Sequence, residues 1–239
     1  MRFSENLIAW YNVSKRDLPW RNTTDPYKIW LSEIILQQTK VSQGMPYYLK
    51  FLENFPNLLD LANSEEDKVL KLWQGLGYYS RARNLHFTAK YIRDNFNGVF
   101  PNNYKDILSL KGVGVYTAAA ISSFAFNLSY PVVDGNVIRV LSRVFGIESE
   151  FDTDPGFKKF YNIALEMLPK YDYATHNQAI MEFGALQCKP KLPLCSNCCF
   201  NENCFALHAN KINLLPRKKK KIKIKNRFIH YLIINNNGK

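Results

Sequence analysis

The stretch CKPKLPLCSNCCFNENC, Cys188 to Cys204, holds all five cysteines of the 239-residue chain. Its spacing is Cys188-x6-Cys195-x2-Cys198-x5-Cys204, with Cys199 left over. Thiols gathered in one short loop are disulfide partners, metal ligands or inert small hydrophobes. Disulfides need an oxidising compartment. The opening MRFSENLIAWYNVSKRDLPW has no basic lead into a long apolar run and no small-residue cleavage site, so no secretory signal is expected. No run approaches the roughly 18 to 20 apolar residues of a membrane span. The chain therefore reads as cytoplasmic, where clustered thiols stay reduced and point to metal or redox chemistry. Four thiolates on one loop can wrap a zinc ion or an iron–sulfur cluster. Zinc sites usually carry two Cys-x2-Cys pairs and this loop has one, which leans toward iron–sulfur and leaves zinc open.

Outside that loop the composition is ordinary. With 46% hydrophobic and 22% charged residues, the chain is long enough for one or two cored domains. Its net charge is +12. The run RKKKKIKIK, Arg217 to Lys225, carries seven basic residues and no acid, and the remainder is still basic. Such an excess suits a polyanion, either nucleic acid or an anionic membrane surface; the run alone reads equally well as a solvated linker.

Residues 1–208 read mostly as helix. YKIWLSEIILQQTKV (Tyr27 to Val41) and EEDKVLKLWQGLG space their apolar residues by three and four. VYTAAAISSFAF follows a Gly-x-Gly turn and is Ala-rich, as a tightly packed buried helix would be. FKKFYNIALEMLPKY ends at a proline-containing turn. After Arg217 the pattern alternates, and IKIKNRFIHYLIINNNGK reads as a strand reaching a hairpin turn. One strand cannot bury a face alone, so this end either pairs with another molecule or, as is expected, is the first strand of a truncated domain.

Several residues could carry chemistry. In LSLKGVGVYTAAA, Gly112 and Gly114 flank Val113 just before a helix begins near Tyr116. Glycines there let backbone N–H groups approach a phosphate at a helix N-terminus, although a bare helix–helix turn has the same pattern. Glu33, in WLSEIILQQT, has Trp30, Leu36 and Gln37 as helical neighbours. It is either a desolvated acid favouring its protonated form or an exposed charge on a polar face. Asp134, in SYPVVDGNVIRVLSR, stands where an apolar stretch gives way to a helix. It reads as an N-cap whose carboxylate the helix dipole keeps ionised. Two carboxyls in opposite environments are how acid and anion roles are divided in glycosidic bond cleavage. GLGYYSRARNLH places Tyr78 and Tyr79 beside Arg81 and Arg83, a pattern that suits base stacking or ordinary core packing.

In order along the chain, LPWR (Leu18 to Arg21), SEIILQQT, GLGYYSRARNL, LKGVGVYTAAAI, VVDGNVIRVLSR, NQAIMEFGALQC and the cysteine loop strongly resemble the MutY family, the adenine DNA glycosylases of base-excision repair. The resemblance spans about Leu7 to Pro216. It implies an all-α, two-lobed helix-hairpin-helix glycosylase fold. One lobe would be a six-helix barrel over residues 22–130. The other would join 1–21 to 131–208 and carry a [4Fe–4S] cluster on Cys188, Cys195, Cys198 and Cys204, with Cys199 outside the ligand set. Residues 209–239 would form a basic linker and the first strand of a truncated C-terminal domain.

The resemblance also implies a substrate and a mechanism. The partner would be double-stranded DNA carrying adenine opposite 8-oxoguanine or guanine, bound by a cytoplasmic, nucleoid-associated monomer. Glu33 would protonate the flipped adenine and Asp134 would stabilise the sugar cation, supported by Tyr116 and Asn136. Arg21, Gln38, Thr39, Tyr78 and Tyr79 would contact DNA, and the backbone of Gly112, Val113 and Gly114 would hold a phosphate. Endonuclease III-like relatives carry a Schiff-base lysine where this chain has Tyr116, so a monofunctional enzyme is expected. Full-length family members continue into a Nudix-like domain that recognises 8-oxoguanine, so weak discrimination between 8-oxoguanine and guanine is expected here. The alternatives are a thymine/uracil mismatch glycosylase, an endonuclease III-like enzyme, or a DNA-binding module without catalysis.

Overall fold

The computed structural model describes residues 2–219. The expected C-terminal strand and the basic run beyond Lys219 lie outside the described residues. Among those described there are twelve α-helices and no strand, as an all-α reading requires. They are α1 (Phe3–Ser14), α2 (Pro26–Leu36), α3 (Val41–Asn54), α4 (Leu58–Ala62), α5 (Glu66–Trp73) and α6 (Ser80–Asn95). There follow α7 (Tyr104–Ser109), α8 (Val115–Phe126), α9 (Gly135–Phe145), α10 (Asp154–Glu166), α11 (Tyr173–Leu186) and the single turn α12 (Phe205–His208).

The helices bury their apolar residues in two separate cores. The first draws on Leu18 to Val132 and is built around Trp30, Tyr48, Phe51, Phe55 and Trp73. Each large side chain so buried contributes about 1.5–3 kcal/mol. At its centre is α8, in which every residue from Thr117 to Phe124 is buried. A helix without a polar face belongs inside, and its alanines and serines let neighbours come close. The second core joins Phe3, Leu7 and Tyr11 of α1 to Val137, Leu141, Phe160, Phe183 and Phe200.

Two crossings connect the cores. The N-terminal helix lies on α11: the Phe3 ring stacks on Phe200 at 4.9 Å and Trp10 packs edge-on to Phe183 at 4.9 Å. The chain then enters the first core at Leu18 and Trp20. It returns through residues 127–134, where the buried Asn177 of α11 receives Val132 N–H and donates to Ser123 Oγ and Tyr130 C=O. That single amide holds the segment that delivers Asp134.

One element ends earlier than its periodicity suggests. The helix expected through Val41 stops at Leu36, and Gln38 adopts a left-handed φ of +56° before α3 starts. The cause lies 44 to 47 residues away: Arg81 Nη1 takes the carbonyls of Ile34, Ile35 and Gln37 at 3.0, 3.0 and 2.5 Å. Carbonyls satisfied by a cation no longer need the next helical turn.

Candidate active site

A cleft of about 770 Å³ opens between the two cores. From the first core α2 supplies Glu33, with Ile29, Leu36 and Gln37 at four- and three-residue spacing on the same face, and α8 supplies Tyr116. From the second come Asp134 and Asn136. Arg21 and Thr39 also line it. The periodicity of α2 left open whether Glu33 faced solvent; it sits half-buried on the cleft wall, in the desolvated situation of the two alternatives.

Burial pushes the Glu33 carboxyl up to about 7. The Tyr116 hydroxyl, within hydrogen-bonding reach, and the more distant Arg21 pull it down, and Asp134 pushes it further up. Burial, with the two carboxyls nearby, also holds the Tyr116 phenol well above the usual range. Tyr116 is therefore a neutral donor.

Asp134 is the N-cap of α9. Its Oδ1 accepts from Asn136 N–H and Val137 N–H, both at 2.8 Å, and its Oδ2 accepts from Asn136 Nδ2 at 2.7 Å. Burial raises this carboxyl more than the three donors and Arg139 lower it, so it too stands above its ordinary value. Asn136 is itself fixed, because its Oδ1 accepts from Arg139 Nη2 at 2.8 Å. Arg139 also donates to the carbonyls of Gly184 and Cys188. The close approach of α11 to this cap requires Gly184, since a Cβ there would stand 2.6 Å from Asn136 Cβ.

The back wall holds a residue to which the sequence assigned no role. Glu182 of α11, its side chain fully buried, receives Arg16 Nε and Arg21 Nη2 at 2.8 Å each and Arg16 N–H at 3.0 Å. Burial raises its carboxyl, but these hydrogen bonds more than offset that and hold it at about 2. The only sequence signal was an acid inside the apolar run AIMEFGAL. The same ion pair places Arg21 in the cleft wall.

Other singled-out residues lie outside the cleft. Gln38 is exposed on the turn after α2, and Tyr78 and Tyr79 are exposed just before α6. Gly112, at φ +82° and with no room for a Cβ beside Asn84, shapes the α7–α8 turn. Val113 is buried in the first core, and Gly114 caps α8.

Cys188, Cys195, Cys198 and Cys204 line a second, small pocket with Phe183, Leu194 and Ile212, while Cys199 is exposed and does not. Arg143 Nη1 lies 3.5 Å from Cys188 Sγ and also donates to Lys189 C=O at 2.7 Å. Four thiols around one apolar pocket with a cation beside them suit an anionic metal–sulfur group. Among the described residues no group of three or more His, Cys, Asp or Glu is gathered as a metal-ion site.

This arrangement has relatives. Residues 31–165 match the family model of the HhH-GPD superfamily base excision DNA repair proteins. The chain belongs to that superfamily. Within it, it belongs with the MutY family. It is 41% identical over 220 residues to an adenine DNA glycosylase of Buchnera aphidicola subsp. Baizongia pistaciae, covering 92% of this chain and 62% of that one. A second Buchnera aphidicola adenine DNA glycosylase, from subsp. Acyrthosiphon pisum, is 38% identical over 97% of this chain and 67% of its own. The chain thus spans about two thirds of these relatives. Among solved structures, a thermostable thymine-DNA glycosylase superposes with a TM-score of 0.80 at 31% identity, over 87% of this HhH-GPD chain and 95% of its own. No helix among the described residues is long and apolar enough to cross a membrane.

Proposed function

We propose that this HhH-GPD chain is a monofunctional DNA glycosylase that removes adenine mispaired with 8-oxoguanine or guanine. The observation that carries the reading is the pair of carboxyls in one cleft. Glu33 is held near neutral pH beside a phenol, and Asp134 is bound by three N–H donors.

The two lobes, residues 22–130 and residues 1–21 with 131–208, grip duplex DNA across the cleft. A stacked adenine is out of reach, so it is flipped in. Glu33 donates a proton to the base, at N7, and the bond from N9 to the sugar breaks with its electron pair leaving on adenine. The sugar carbon becomes cationic, and the Asp134 carboxylate stabilises it until water adds and loses a proton. Tyr116 and Asn136 hold the two carboxyls in place. Arg21 and Thr39 at the cleft, Gln38, Tyr78 and Tyr79 beside it, and the Gly112–Gly114 backbone contact the DNA. A phenol forms no Schiff base, and the lysine lining the cleft, Lys40, is exposed at its rim. The product is therefore an abasic site in an unbroken strand.

Cys188, Cys195, Cys198 and Cys204 hold a [4Fe–4S] cluster that stabilises the loop as a folded unit. The single Cys195-x2-Cys198 pair, where zinc sites usually carry two, favours the cluster over zinc. Broad brown visible absorbance is expected, and a colourless protein with stoichiometric zinc would overturn the assignment.

The test is single-turnover base release from duplexes carrying A opposite 8-oxoguanine, A opposite G, and T opposite G, each with and without alkali. Breaks at adenine that need alkali are expected. Thymine release would move the chain toward the thymine-DNA glycosylase it superposes on. Breaks without alkali, trapped by borohydride, would reveal an amine nucleophile, and no release at all would leave a binding module.

A further inference from the structure

Arg81 is used by nothing in the mechanism above, yet it is among the most heavily bonded side chains in the molecule. It sits in the first turn of α6 and is buried. Besides the three carbonyls at the end of α2, its guanidinium reaches Thr39 Oγ1 at 3.5 Å and the carbonyls of Leu76 and Gly77 at 3.4 Å. Its carbon lies 5.2 Å from the Trp73 ring and 5.5 Å from the Tyr78 ring. One planar fork therefore ties the turn at 37–39 to the turn at 76–78.

Each of those turns contains a non-glycine residue with left-handed φ, Gln38 at +56° and Tyr78 at +49°. Such conformations are costly for residues with side chains and persist only where surrounding bonds impose them. Here they point two side chains outward: Gln38 is exposed, and Tyr78 is 64% exposed despite its aromatic ring.

We infer that Arg81 is a positioning residue that locks the Gln38 and Tyr78 turns into one rigid reading unit and thereby sets discrimination for the base opposite the excised adenine. The inference rests on the proposed glycosylase reading, because it needs the two turns to face DNA. Lysine cannot replace the fork: an ammonium on a flexible stem keeps the charge but cannot span carbonyls on two loops and lie against two rings.

The experiment compares wild type with Arg81→Lys on mispaired (A opposite G) and matched (A opposite T) duplexes, by single-turnover excision and by Kd, with circular dichroism to confirm folding. Loss of charge-assisted hydrogen bonds on this scale should lower the mispair preference about tenfold. A preference within about twofold of wild type in a folded variant would overturn the inference. A double-mutant cycle in the otherwise native chain, Gln38→Ala with Tyr78→Ala, decides independently, including when Arg81→Lys does not fold. Non-additive losses of preference are expected of one unit, and additive losses would overturn it. If wild type itself shows neither excision nor mispair preference, the glycosylase reading fails first.

Discussion

Glu33 and Asp134 share one cleft and one penalty, but they are built on opposite plans. Burial raises both carboxyls. Glu33 projects from the middle of a helix whose backbone N–H groups are already spent, so only a phenol hydroxyl and a distant arginine oppose the rise. Asp134 caps a helix, where orphan N–H groups are available, and two of them bond it along with the Asn136 amide. The supply of donors, more than the depth of burial, sets the two carboxyls apart, although both stand above their ordinary values. The second lobe can offer that supply because its carboxyl sits at a helix start.

Changing Asp134 should break the pair most severely. Asp134→Asn is expected to slow single-turnover adenine release about a thousandfold, as loss of a charge facing a developing cation does. The remaining amide oxygen can still cap α9, but the Asn136 Nδ2 donor loses its acceptor, so the unfolding midpoint should fall modestly. Glu33→Gln should slow release about a hundredfold or more while duplex binding survives. It should also stabilise the protein at alkaline pH. A carboxyl near 4.5 when unfolded and about 7 when folded contributes its stability below about 4.5, and loses it as pH rises through 7. Thermal melts at pH 8 should therefore show Glu33→Gln more stable by about 2 kcal/mol, with the gap closing by pH 5.

Gly184→Ala touches only the Asp134 arm. Its methyl group would press on Asn136, so release should fall about tenfold, in line with the cost of small displacements in a catalytic constellation. The Glu33-dependent decline in rate above pH 7 should keep its midpoint. Tyr116→Phe touches the other arm. It removes the hydroxyl that lowers the Glu33 carboxyl, so the alkaline limb of the pH–rate profile should shift upward from about 7. A limb that stays put would show that Tyr116 does not tune Glu33.

What could be read from the sequence divides along the same line. Local features were legible: α8 begins and ends with VYTAAAISSFAF, and Asp134 caps the helix that its neighbours announced. The cysteine spacing likewise singled out the four thiols that share a pocket, and not the fifth. Features made by distant partners were not legible. Glu33 lies on a helix whose pattern fits solvent or cleft, and only the second lobe decides between them. The break after Leu36 depends on Arg81, and Glu182 acquires meaning only when Arg16 and Arg21 reach it from more than 160 positions away. Periodicity reports which face is apolar, not which residue elsewhere will meet the polar one.

The placement of α1 has a consequence for how the molecule is made. The ribosome releases Phe3, Leu7 and Tyr11 first, yet their partners Ala179, Ile180 and Phe183 emerge last among the residues of that core apart from Phe200. At about 5–20 residues per second, the first helix waits roughly 10 to 30 seconds with its apolar stripe uncovered. The first core, drawn from one unbroken stretch, can close in the meantime. The nascent chain thus passes through a stage with one finished lobe and a dangling amphipathic helix, the stage at which a holdase or a stray neighbour would find it.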